Sequence, residues 1–169
     1  LPPPPHTAKP QVLVQGAAFQ HALRGLRARE AQLRTAGGAH VRRRLRASLA
    51  ALLRRVLDDG RRFKRLDAQA QHRVRKRVKR LRYLAEFAAP LFPARRVSQF
   101  VAALQTAQDA LGRYNDERVA QALYTPAAAD GDPGARFAVD WLQARRARRA
   151  GQCQKLLRQL ALVRPFWSK

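Results

Sequence analysis

An all-α fold, an antiparallel bundle of about five helices with a basic face, is what the sequence predicts, and three observations predict it. No segment alternates at period two, apolar residues recur at three- and four-residue spacing, and the stretches between are short and rich in Gly and Pro. With 169 residues, 46% of them hydrophobic, the chain is long and apolar enough to bury one core.

Residues 1–10, LPPPPHTAKP, read as an extended proline-rich lead-in, and residues 11–169 as the helical bundle. A first helix is expected from about Val14 to Thr35, stopped by Gly37-Gly38. A second starts near Ala39 and keeps Leu45, Leu49, Leu52, Val56 and Phe63 on one stripe, continuing through Asp59-Gly60 or kinking there. Arg43, Arg54 and Arg61 lie roughly opposite that stripe. A third helix begins after Leu66, with Asp67 as N-cap, and ends before Pro90 or Pro93. A fourth spans roughly Arg95 to Leu123, closed by Tyr124-Thr125-Pro126. The run Asp130-Gly131-Asp132-Pro133-Gly134 is a turn, where turn chemistry rather than a metal accounts for the two aspartates. A last helix runs from about Ala135 to Leu162, before Phe166-Trp167.

The abnormal quantity is charge. Thirty-five Lys and Arg against 11 Asp and Glu give +24 at pH 7, with a pI near 11.9. Such a balance calls for a polyanionic partner: nucleic acid, an anionic membrane surface or a phosphate polymer. The single cysteine, Cys153, excludes an intramolecular disulfide and a cysteine-rich metal site. No apolar run is long enough to span a bilayer, and the N-terminus has no signal-peptide pattern as it stands. Since the sequence has no methionine, its native start is expected to lie outside it.

The charge is concentrated. Between His72 and Tyr83 the chain reads HRVRKRVKRLRY, with seven Lys and Arg in twelve residues. At about 100° per residue, His72, Arg75, Lys76, Lys79, Arg82 and Tyr83 share one helix face, and Val74, Val78, Leu81 and Ala85 the opposite one. A solvated charged face usually interleaves acids at i,i+4; this one has none from Arg73 to Tyr83, and Glu86 stands only at its end. The row is therefore read as an anion site, with Arg binding phosphate oxygens in bidentate fashion and His72 as an anion-contacting imidazole. His72 lacks the partners a metal ligand or a general base needs.

His21, Arg24 and Arg27 repeat a thinner version of the row beside Glu30. Arg145, Arg146, Arg148, Arg149, Lys155 and Arg158 load the last helix with cations. No phosphate-binding Gly-rich loop, HExxH or CxxC is present, and neither metal nor cofactor is expected. Asp109 and Asp116 lie seven apart on one face together with Gly112. The glycine is expected to let helices approach closely, and the carboxylates to serve as counter-charges for basic neighbours.

Two motifs make the chain resemble a CHAD domain, the conserved histidine α-helical domain. The pattern H-x-x-R-x-x-x-K-R-L-R-Y-x-x-E is met by His72, Arg75, Lys79, Arg80, Leu81, Arg82, Tyr83 and Glu86. The pattern L-Q-D-x-L-G-x-x-N-D is met by Gln108, Asp109, Leu111, Gly112, Asn115 and Asp116, with Ala107 where leucine is usual. Pro165-Phe166-Trp167 resembles the end of such domains. The likeness runs from about residue 20 onward and matches the second half of a two-half domain.

The resemblance implies a helical bundle around a basic channel that binds inorganic polyphosphate, in the cytoplasm and at polyphosphate granules of bacteria and archaea. On this reading His72, Arg75, Lys76, Lys79, Arg80, Arg82 and Tyr83, with Arg54 and Arg61, contact the polymer, and the protein is not an enzyme. A nucleic-acid-binding helical protein is the alternative, since charge alone does not separate one polyanion from another. It has against it the lack of a recognised DNA-binding module and of aromatics free for base stacking. A polyphosphate phosphohydrolase stands third, for want of an acidic metal cluster or activated nucleophile.

Overall fold

The computed structural model describes residues 38–168 together with His21, Arg24 and Gly25. Contacts divide the chain into two units, Leu1–Arg44 and Leu45–Lys169. In the first, the described positions are helical, and the Arg43 guanidinium lies 3.3 Å from His40 Nδ1. The proline-rich lead-in and the expected helix from Val14 to Thr35 lie outside the described residues, apart from helical positions at His21, Arg24 and Gly25. Arg27 and Glu30 lie outside them too.

Four α-helices stand among the described residues: α1 (Gly38–Arg61), α2 (Ala68–Ala88), α3 (Ala94–Ala129) and α4 (Pro133–Leu160). No described residue is in a strand, so the all-α expectation holds. The described helices number four rather than about five, because the expected first one falls outside.

Each boundary has a local cause. α1 runs unbroken through Asp59-Gly60, and a 3-10 turn at Phe63–Arg65 then redirects the chain. Asp67 caps α2 as expected, its carboxylate accepting from Ala70 N at 2.7 Å. Asp132 does the same for α4, accepting from Ala135 N at 2.9 Å with Pro133 in the first turn.

The end of α3 departs from the expectation. The helix passes Pro126 and stops six residues beyond Leu123, at Ala129. Its terminator is Gly131, which takes the left-handed conformation (φ 94°) that side chains resist. Asp132 N bonds Ala127 O at 3.0 Å and Gly131 N bonds Ala128 O at 3.3 Å. This pair of bonds is a Schellman cap, which satisfies the last carbonyls.

Neighbouring helices of the second unit run antiparallel. Gln71 meets Tyr114 and Arg82 meets Gln105, so the numbering falls along α3 as it rises along α2. Asp130–Asp132 alone connect α3 to α4. The core is built from the faces the pattern indicates: Leu49 and Val56 of α1, Val74, Val78, Leu81 and Ala85 of α2, and Phe63 are fully buried. α3 adds Phe100, Leu104 and Leu111, and α4 adds Cys153, Leu157 and Leu160. Gly60 lets α1 meet α4; a Cβ there lies 2.9 Å from Leu157 Cβ.

Phe166 and Trp167 close the base of the core. Phe100 packs edge-on against both, with centroids 5.8 and 4.9 Å away, and Phe92 meets Phe166 at 4.9 Å.

Burial pushes the Cys153 thiol up from 9.0 to about 11, against the pull of the Arg113 and Arg149 charges. The folded chain thus holds this proton to higher pH than the unfolded chain does. Its contribution to stability is complete below about pH 9 and is lost as pH rises to about 11. Melting temperatures of wild type and Cys153→Ala, taken across that window, are expected to converge or cross as wild type loses ground. A constant difference contradicts this.

Candidate polyanion site

α2 carries seven Lys and Arg between Arg73 and Arg82. Two have acidic partners: Arg77 pairs with Asp59 of α1, and Arg82 with Glu86 at 3.6 Å. Among the described residues, Arg73, Arg75, Lys76, Lys79 and Arg80 form no ion pair. Five cations crowded on three turns repel one another, and their mutual cost falls only when an anion lies along them.

A buried polar link fixes the rotation of this helix. Gln71 donates to Phe63 O at 3.0 Å and accepts from the Tyr114 hydroxyl at 3.0 Å. With both ends of the amide satisfied in the core, the next residues must point outward. His72 is exposed and Arg75 half-buried, both lining a shallow recess with Asn115 and Arg118 of α3.

The cations do not form one flat stripe; they line two grooves, one on each side of α2. A groove of about 520 Å³ lies on the α1 side, walled by Leu52 and Arg55 of α1 and by Arg73, Lys76, Arg77, Lys79, Arg80 and Tyr83 of α2. It has six cations and no carboxylate. A groove of about 370 Å³ lies on the α3 side, where Arg75, Lys79 and Tyr83 face Gln108, Asp109, Gly112, Arg113 and Asp116. Lys79 and Tyr83 line both. The Lys79 ammonium lies 5.6 Å from the centre of the Tyr83 ring, and the Arg82 guanidinium 5.1 Å from it.

Of the residues expected at the site, Arg75, Lys76, Lys79, Arg80 and Tyr83 line these grooves, and His72 the adjoining recess. Arg82 lines neither groove. It is held by Gln105 of α3 and by Glu86, with 19% of its side chain exposed. Arg54 and Arg61 also stand outside both grooves, Arg61 pairing with Asp58 at 3.3 Å. Arg54 points away because it is one residue off Arg55, a rotation of about 100°. Arg55, Arg73, Arg77 and Arg113 line the grooves as well, and the sequence pattern does not assign them to the site. Which side of a helix becomes a groove wall depends on where its neighbour packs, and the periodicity of one helix does not contain that.

The second motif also differs from expectation. Gly112 does not bring helices together: a Cβ there meets nothing within 4 Å, and the residue instead leaves the α3-side groove open. Glu86 is occupied by Arg82, as expected of a counter-charge, but Asp109 and Asp116 form no ion pair among the described residues. Asp109 accepts from Gln105 at 2.9 Å and Asp116 from Asn115 at 3.5 Å. On α4, Arg149 donates to Glu117 of α3 at 2.8 Å and Arg145 lies 3.9 Å from the same carboxylate. These two α4 cations thus tie helices together, whereas Arg148 is exposed.

The helices are too polar to cross a bilayer: among the described residues, none is long and apolar enough. No curated protein and no solved structure matches the chain. A family model does, that of the CHAD domain, over residues 10–125. The matched stretch covers α1, α2 and most of α3, and so includes both motifs that face each other across the α3-side groove. The chain belongs to the CHAD family.

Proposed function

We propose that this protein binds inorganic polyphosphate along the cation row of α2 and does not cleave it. The observation that carries the reading is the set of five cations on α2 that form no ion pair among the described residues, opening on grooves to either side. The family, associated with polyphosphate-related proteins, supports the choice of anion. A linear phosphate chain matches a row of cations spaced about one helical turn apart, and Arg and Lys replace its counterions. Affinity therefore falls linearly in log–log terms as salt rises. Recruitment to polyphosphate granules in the cytoplasm follows from the same contacts.

A nucleic acid satisfies the same electrostatics, so the discrimination rests on shape and stacking. Tyr83 is the one aromatic residue lining either groove, and successive bases have no series of rings to stack on. The site has no recognised element for a DNA groove.

Hydrolysis needs an attacking water positioned and developing charge neutralised, usually by metal ions on carboxylates. Asp109 and Asp116 stand roughly 10 Å apart along α3, and Glu86 is engaged by Arg82. Among the described residues, no group of three or more His, Cys, Asp or Glu side chains could hold a metal ion. A repeating polymer is also held alike at every link, and uniform binding does not accelerate chemistry.

Displacement of labelled long-chain polyphosphate, by unlabelled polymer and by duplex DNA at one salt concentration, tests the binding. Polyphosphate is expected to compete at least tenfold better per phosphate; equal competition makes the site a generic polyanion surface. Incubation with magnesium or manganese should leave polymer length on a gel unchanged. Shortening that disappears in Asp116→Asn or Glu86→Gln overturns the non-enzymatic reading.

A further inference from the structure

Two features of the site are not explained by a single row of contacts. The grooves on the two sides of α2 differ in charge: the α1-side groove has six cations and no carboxylate, whereas the α3-side groove sets Asp109 and Asp116 against Arg75, Lys79 and Arg113. They nevertheless share Lys79 and Tyr83, which are one helical turn apart and both exposed, and so form the ridge between them.

We infer that the site is bipartite, and that one phosphate chain crosses α2 over Lys79 and Tyr83 to occupy both grooves. The inference rests on the polyphosphate reading above and adds a chain-length rule to it. A helix is about 10–12 Å across, so the arc over its outer half is roughly 15–20 Å. A chain shorter than that arc reaches one groove only. A longer one engages the second groove intramolecularly, and its affinity gains from effective concentration as well as from contacts.

Lys79 is central because its ammonium serves the chain at the crossing, where neither groove alone surrounds it. Tyr83 supports that position from below, the ammonium resting near its ring face. The carboxylates of the α3-side groove weaken that half for a lone short anion. They matter less for a chain already anchored by Arg55, Arg73 and Arg80 on the other side.

The experiment is a titration of the whole chain with tripolyphosphate and with polyphosphates of increasing length. It is run on wild type, on Arg55→Glu/Arg80→Glu, which alters only the α1-side groove, and on Arg113→Glu, which alters only the α3-side groove. Circular dichroism melts check that each variant is folded, and Arg55→Gln/Arg80→Gln serves if the reversal disturbs folding. Wild type is expected to gain about 100-fold or more once the polymer passes the crossing length. Each groove variant should bind tripolyphosphate more weakly than wild type, and its gain from tripolyphosphate to long polymer should be less than about tenfold. An undiminished gain in both variants overturns the bipartite site while leaving polyphosphate binding intact. A wild type that binds no polyphosphate overturns the functional reading itself.

Discussion

Reversing the charge at Lys79 is expected to weaken polyphosphate binding at least tenfold, whereas the same reversal at Arg148 changes it less than twofold. Lys79 lines both grooves and forms no ion pair among the described residues, so a phosphate segment bound in either groove passes near its ammonium. A well-formed charge-assisted contact contributes about 1–3 kcal/mol, and Lys79→Glu adds repulsion to its loss. Arg75→Glu is expected to fall between the two, since Arg75 serves the α3-side groove and the His72 recess. Arg148 is exposed on α4 and lines neither groove. Isothermal titration of the three variants at one salt concentration measures the difference. Equal losses reduce the row to part of the overall +24 charge.

The largest stability effect is expected at Phe100. Its side chain is fully buried and meets Phe166 and Trp167 edge-on. Phe100→Ala removes a ring from a cluster that cannot collapse around the void, because Phe92, Phe166 and Trp167 already hold one another in perpendicular contact. A loss of about 3–5 kcal/mol follows. That is a large part of the total stability of about 5–15 kcal/mol usual for a domain. At about 2–4 °C per kcal/mol, thermal unfolding monitored by circular dichroism should fall by roughly 10 °C. Phe137→Ala is the control, since Phe137 is 72% exposed, and its melting temperature should barely move. A Phe100→Ala variant melting within a few degrees of wild type contradicts this account of the core.

Much of α2 could be read from the residues alone because its signals are local. The Asp67 cap, the apolar series Val74-Val78-Leu81-Ala85 and the cations opposite depend only on helical geometry. The end of α3 could not, because two stop signals compete. Pro126 forfeits a single N–H near the end of the helix, whereas Gly131 provides the left-handed turn that satisfies several carbonyls at once. The site was divided in the same manner. His72, Arg75, Lys79 and Tyr83 follow from one periodicity. The contribution of Arg55, the removal of Arg82 by Gln105 and Glu86, and the openness at Gly112 arise from the packing of α1 and α3 against α2.

Backbone amide shift mapping of the isotope-labelled protein during a polyphosphate titration tests the central claim most directly. Shifts are predicted along α2 from His72 to Tyr83 and on the facing stretch of α3, with the Gly112 amide among the largest. The amides around Arg148 should stay in place. Perturbations spread evenly over the cations of α4, or absent from α2, contradict the assignment of the site.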